Sequence, residues 1–321
     1  MSEYPAGRPD DEQPHTSGGS PSGAPDNQPP SGLPESGWTG GSVAPGYGAA
    51  PQPGWYASPD DPLVSPNFGG WWTRAFALLS AAWRPMAVVQ LFWALPLVLL
   101  DVFIILAPVE TETGTNGEFT GGLLVALLIS LGTDLVAMLL SFVTLLATVQ
   151  ILVQRATDQP VSVREALMTG LRRAPAMLGW GLLSGLLIMV GLLFCILPGL
   201  YVALAMSVLP VVVLLERGNG IGRAFELFHA NFGAAIGRVA TTAGVMLAFT
   251  LAGGALVLGL QPTDALSGDD VTVGVALTTA IISTTVSIIS NVVVSPLLLT
   301  AYADMRARHE PFSTAYLRPA S

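Results

Sequence analysis

Six long apolar stretches are separated by gaps that alternately carry arginine and lack it, and this alternation constrains the fold more than any other feature. The stretches lie near 86–108, 121–150, 176–197, 200–215, 234–260 and 272–300. A helix needs roughly 20 apolar residues to cross a hydrocarbon layer about 30 Å thick. Arg74, Arg84, Arg155, Arg164, Arg172, Arg173, Arg217, Arg223, Arg238, Arg306, Arg308 and Arg318 fall in or at the margins of one set of gaps, whereas the loops near 109–120, 198–199 and 261–271 have none. Basic loops stay on the cytoplasmic side. The pattern therefore predicts six transmembrane helices with both chain ends in the cytoplasm. Nothing at the start of the chain resembles a cleaved leader, so the first apolar segment is expected to direct insertion.

Arginine placement also settles the second stretch, where Gly132, Thr133 and Asp134 could be read as a turn between two short spans. Splitting it there would export Arg155, Arg164, Arg172 and Arg173, so one long helix is expected. The fourth stretch follows Pro198 and Gly199, a turn pair. Counted from 200 to 215 it is only about 24 Å long, so it either crosses or dips in and returns.

Composition agrees. With 51% apolar and 11% charged residues in 321, the chain has too little polar surface for a soluble domain of its size. The exception is the region 1–66, which holds 14 of the 25 prolines and eight of the 22 acidic residues. It is expected to be a disordered cytoplasmic tail, ahead of a membrane domain over 67–310 and a short cytoplasmic tail over 311–321. All 13 basic residues are arginine, which fits GC-rich bacterial coding. The single cysteine, Cys195, cannot form an internal disulfide and reads as a packing residue.

An internal repeat underlies the spans. Amphipathic stretches precede the first, third and fifth, and align when residue 72 is set against 163 and 221. Their apolar faces read Trp72, Ala75, Phe76, Leu79, Trp83; Val163, Ala166, Leu167, Gly170, Ala174; and Ile221, Ala224, Phe225, Phe228, Phe232, at the spacing that gathers side chains on one helical face. Ser162 with Glu165 makes a capping box at the start of the second copy. Arg74, Arg164, Arg172, Arg173 and Arg223 fall on the opposite faces, where they are expected to meet anionic lipid headgroups. The expected architecture is all-α: three surface-helix-plus-hairpin repeats, with breaks at Pro85, Pro175 and Gly233, the alternative being that these helices are the ends of the following spans, bent at the same residues.

From Pro198, Gly199, Leu200 and Tyr201 through Pro210 and Glu216 to Ala224, Phe225, Leu227 and Phe232, the chain resembles a bacterial family. This is the membrane domain attached to some glycerophosphoryl diester phosphodiesterases and also found alone. Tyr302, Asp304, Arg306, Arg308 and Glu310 resemble that family's exit from its last span. The likeness covers about 68–316. It departs at Pro311, where glycine is usual, and at Glu226 and His229, where more basic residues are expected. The family's catalytic barrel has no counterpart here, so what the resemblance implies is a fold.

Asp101 and Asp134 are the acidic residues deep in spans, where an unpartnered charge is costly. Counted along their spans, both fall between the bilayer centre and the outer interface and could approach each other. They either relay a proton in a coupled transporter or permease, or are neutral carboxyls bonded to neighbours such as Ser130, Thr133 or Ser141. His15, His229 and His309 lie far apart in sequence, so no catalytic residue, metal site or cofactor is expected, and no nucleic-acid partner. Gly218, Gly220 and Gly222 alternate as in a phosphate loop, but no strand precedes them and they read as a turn. Gly181 and Gly185 are a small-residue pair suited to helix contact. Tyr47, Trp55 and Tyr56 in the tail either recruit a protein partner or lie in a plain linker. The leading expectation is a non-catalytic membrane organiser or accessory module.

Overall fold

Inside hydrocarbon a backbone N–H or C=O finds no water, so each apolar stretch must close its hydrogen bonds within itself. A computed structural model shows that outcome: α1 (Phe68–Leu106), α2 (Gly121–Ala156), α3 (Val163–Phe194), α4 (Ile196–Met206), α5 (Leu209–Leu215), α6 (Gly220–Ala230), α7 (Phe232–Leu260) and α8 (Val273–His309), then a 3₁₀ turn at Thr314–Leu317. The structure describes residues 58, 60–106, 121–260 and 273–318, and no strand occurs among them. Six helical segments, with α4 and α5 counted as one, are long and apolar enough to cross a membrane. The chain is a multi-pass membrane protein.

The long helices exceed what a bilayer requires. α1, α2 and α8 have 39, 36 and 37 residues, or more than about 50 Å each at 1.5 Å per residue. The excess packs into a head at the arginine-bearing end. Trp71, Met86, Leu146, Ile151, Leu209, Phe228 and Tyr302 are fully or almost fully buried there. Towards the other end, Leu99, Phe103, Leu128, Leu193, Leu251 and Ile281 are exposed on the helix surfaces, as side chains solvated by lipid would be.

α2 runs unbroken through Gly132, Thr133 and Asp134, as the arginine argument requires. The Ser162 hydroxyl accepts from the Glu165 N–H at 3.3 Å and starts α3. The surface-helix expectation needs correction in two of three copies. Only the third is a separate helix, α6, broken from α7 at Asn231; the first and second continue through Pro85 and Pro175 into the spans that follow. A proline costs a helix one hydrogen bond, and a packed neighbour can offset that loss.

The packing face of the first copy also differs. Trp71, Ala75, Leu78, Ala82 and Met86 point inward, while Trp72, Phe76 and Trp83 stay exposed. In the second copy the expected face is the one that packs: Ala166, Gly170 and Ala174 are buried, and a Cβ at Gly170 would lie 2.4 Å from the Val143 carbonyl oxygen of α2.

Pro198 and Gly199 are not the turn. They lie inside α4, which begins at Ile196 after the single extended residue Cys195. The fourth span is therefore Ile196–Leu215, 20 residues, enough to cross. The hairpin is this tight because Gly191 and Gly199 touch: a Cβ on Gly191 would lie 2.8 Å from the Gly199 Cα. Cys195 at the tip is exposed rather than packed. Of the pair singled out for helix contact, a Cβ on Gly181 would lie 3.1 Å from the Phe142 ring, while one on Gly185 would meet nothing within 4 Å.

The domain boundaries at both ends are corrected as well. Leu63, Val64 and Ser65, assigned to the tail, are buried, and so are Phe312 and Thr314 beyond α8. The rest of 1–66, apart from residues 58, 60–62 and 66, lies outside the described residues, including Tyr47, Trp55 and Tyr56.

Candidate functional site

The head is held by polar side chains that sequence distance keeps apart. Glu216, at the end of α5, accepts from Arg223 Nε of α6 at 2.7 Å and from the Tyr302 hydroxyl of α8 at 2.5 Å. Arg223 Nη2 donates to Glu310 at 2.8 Å. Glu310 also accepts from Arg306 Nε, and Arg306 Nη1 donates to the Tyr302 oxygen at 3.0 Å. The circuit Glu216, Arg223, Glu310, Arg306, Tyr302 closes on itself. Arg223 Nη1 adds Glu226 at 3.1 Å, and Glu226 meets His309 Nε2 at 2.7 Å. Charge-assisted bonds of this kind are the strong ones.

Titration follows from this geometry. Burial alone would lower the pKa of Arg223; its bonds to Glu226, Glu216 and Glu310 outweigh that and hold it above its ordinary value. Glu226 is held low by the hydrogen bond from Arg223 and then by that from His309. Burial would raise Glu310, but its bonds to Arg306 and Arg223 prevail and hold it low.

A second hub is Asp304. Its side chain is fully buried, 3.2 Å from Arg238 of α7 and 2.7 Å from Arg308. Arg308 also donates to the Pro66 carbonyl at 3.1 Å. Asp61 then joins the segments flanking the helices, accepting from the N–H groups of Leu63 and Val64 and from both the N–H and the hydroxyl of Thr314. His229 Nδ1 faces the Phe225 carbonyl at 2.7 Å. A carbonyl only accepts, so Nδ1 carries the proton, and in the neutral ring Nε2 accepts the Tyr201 hydroxyl, linking α6 to α4.

One cavity lies at this scaffold and another among the spans. One, of about 460 Å³, opens at the arginine-rich end between α3, α5 and the α5–α6 loop, lined by Arg173, Trp180, Glu216, Arg217, Asn219 and Arg223 among others. The other, of about 400 Å³, lies among the apolar spans and is lined by Trp93, Ser141, Phe249, Ser287, Ser290 and Asn291 among others.

The arginines expected to face headgroups divide. Arg164 and Arg172 are exposed, and Arg74 and Arg173 are half-buried. For Arg223 the expectation is corrected: each of its three nitrogens donates to a carboxylate. Asp134 is exposed on α2 and is not among the residues lining either cavity. Asp101 lies in α1, but its side chain is outside the described residues. No group of histidine, cysteine and carboxylate that could hold a metal occurs among the described residues.

The residues sequence reasoning passed over are Asp61, Arg238 and Thr314. Each is unremarkable in sequence; the one available signal was the polar character of Arg238 inside an apolar run. The fold and this end of it define a multi-pass membrane protein with a polar-locked head. No family model matches the chain, and neither a curated protein nor a solved structure is similar to it.

Proposed function

We propose that this chain is a non-catalytic membrane organiser or accessory module of a bacterial inner membrane, with both termini cytoplasmic. The closed circuit through Glu216, Arg223, Glu310, Arg306 and Tyr302 carries the reading. Its charged groups are engaged with one another, as suits a rigid platform rather than a reaction. The exposed rim supports the same use. Phe68, Trp72, Phe76 and Trp83 form an aromatic face of the kind that sits at a membrane interface. Arg164 and Arg172, exposed at the same end, suit anionic headgroups. The N-terminal region would supply contacts to protein partners.

Orientation is tested by reporter fusions. Fusions after residues 115 and 266 should report outside and one after residue 165 inside; the reverse result removes the cytoplasmic assignment. The role is tested by native-gel migration of the full chain extracted from cells. A complex larger than the chain should survive Asp134→Ala and be lost in Asp304→Asn, whereas a chain that migrates alone in every case argues against an organiser.

One observation favours a second reading, a permease. The cavity within the spans is lined by Ser141, Ser287, Ser290 and Asn291, hydrogen-bonding groups of the kind a transport path uses. Uptake of a polar solute by proteoliposomes, reduced by Ser287→Val with Asn291→Leu, would establish that reading over the first.

A further inference from the structure

The cavity at the arginine-rich end holds more positive charge than the scaffold uses. Glu216 and Glu226 form part of its wall, and both are engaged: Glu216 by Arg223 and Tyr302, Glu226 by Arg223 and His309. Arg173 and Arg217 line the same cavity. Neither has a carboxylate within salt-bridge distance among the described residues. Two guanidinium groups lining one concave space, beside carboxylates already engaged elsewhere, make a site for a doubly acceptor-rich anion, and phosphate geometry matches the guanidinium fork.

Depth agrees. Arg173 precedes the apolar run of α3 by a few residues, Trp180 lies one to two turns further in, and Arg217 follows the end of α5. The cavity therefore opens where a helix leaves the hydrocarbon, the level of lipid phosphates. Its volume of about 460 Å³ lies in the range of small-molecule sites.

The alternating glycines shape its rim. Gly218 has φ +139° and open space where a Cβ would stand, whereas a Cβ on Gly220 would press on Leu209 and Trp180 at 3.1 and 3.3 Å. The first needs glycine for its backbone angle, the second for close approach. The loop thus lies against Trp180, with Arg217 and Asn219 at the cavity.

We propose that this cavity binds a phosphate group through Arg173 and Arg217. The phosphate belongs either to a lipid headgroup or to a soluble phosphate ester. The inference goes beyond the organiser reading and would hold for a permease equally.

The test uses the full chain in nanodiscs. One arm measures retention of phosphatidic acid against phosphatidylcholine by native mass spectrometry. The other titrates inorganic phosphate into chain held in phosphatidylcholine alone. Arg173→Gln with Arg217→Gln should weaken binding in one arm at least about tenfold, the scale of a lost charge-assisted bond. Arg84→Gln with Arg155→Gln, which removes the same charge from the same end, should leave it unchanged. Loss confined to the lipid arm assigns a headgroup; loss confined to the phosphate arm assigns a soluble ester. Arg173→Lys with Arg217→Lys, which keeps the charge, should restore part of the affinity and so separate lost binding from lost folding. Equal weakening by both glutamine pairs means diffuse attraction and overturns the site, as does failure of the unsubstituted chain to bind either probe.

Discussion

Asp61 accepts both the backbone N–H and the hydroxyl of Thr314, at 2.8 and 2.6 Å, across 253 residues of sequence. Its Oδ1 also takes the N–H groups of Leu63 and Val64. One carboxylate thereby ties the segment entering α1 to the segment leaving α8. Asp61→Ala would leave these buried donors without an acceptor, at about 1–3 kcal/mol each. Limited proteolysis should then cut within 60–67 and 310–318 faster than in the unsubstituted chain. Unchanged protection would mean that the buried Leu63 and Phe312 hold these segments by themselves.

Asp304 and Arg238 are a buried ion pair, with side chains 0% and 3% exposed. Removing one partner from such a pair costs about 3–5 kcal/mol, whereas removing both is often neutral. Asp304→Asn should lower the melting temperature in detergent markedly, and adding Arg238→Met should recover part of the loss. Arg308, which also bonds Pro66, limits that recovery. A double variant less stable than Asp304→Asn would count against the pairing.

Acid should loosen α6. Glu226 and Glu310 are held below their ordinary values in the folded chain. A carboxylate that binds its proton less tightly when folded adds stability above its unfolded pKa, and that contribution is lost as pH falls through the folded value. Protection of the α6 amides against hydrogen exchange should therefore be constant near neutrality and decline below about pH 4.5, close to the usual carboxylate pKa. With Glu310→Gln protection should be lower at neutral pH and vary less with acid. Protection that stays constant through this acid range would count against the two carboxylates as its source.

Helix contacts rank the glycines. Gly191→Ala and Gly170→Ala place a Cβ 2.8 Å and 2.4 Å from backbone atoms of the facing helix. Overpacking of this sort costs about 1–3 kcal/mol. Gly185→Ala and Gly132→Ala meet nothing within 4 Å, and should be neutral or slightly stabilising, because alanine favours helix by nearly 1 kcal/mol. Thermal unfolding of the four variants checks the order; a destabilised Gly185→Ala would reveal a contact outside this chain.

The amino-acid sequence alone determined how many spans there are, the unbroken second helix and the cap at Ser162, because a bilayer forces every backbone group into local hydrogen bonds and those depend on nearby residues. Only the tertiary structure decided which apolar face turns inward. Trp71 and Trp72 are adjacent, yet the first is buried and the second exposed. Lipid and protein core both solvate an aromatic ring, so periodicity cannot choose between them. The polar circuits were invisible for a related reason: Glu216 and Tyr302, or Asp61 and Thr314, become neighbours only after helices far apart in the chain have packed, and no local rule carries that distance.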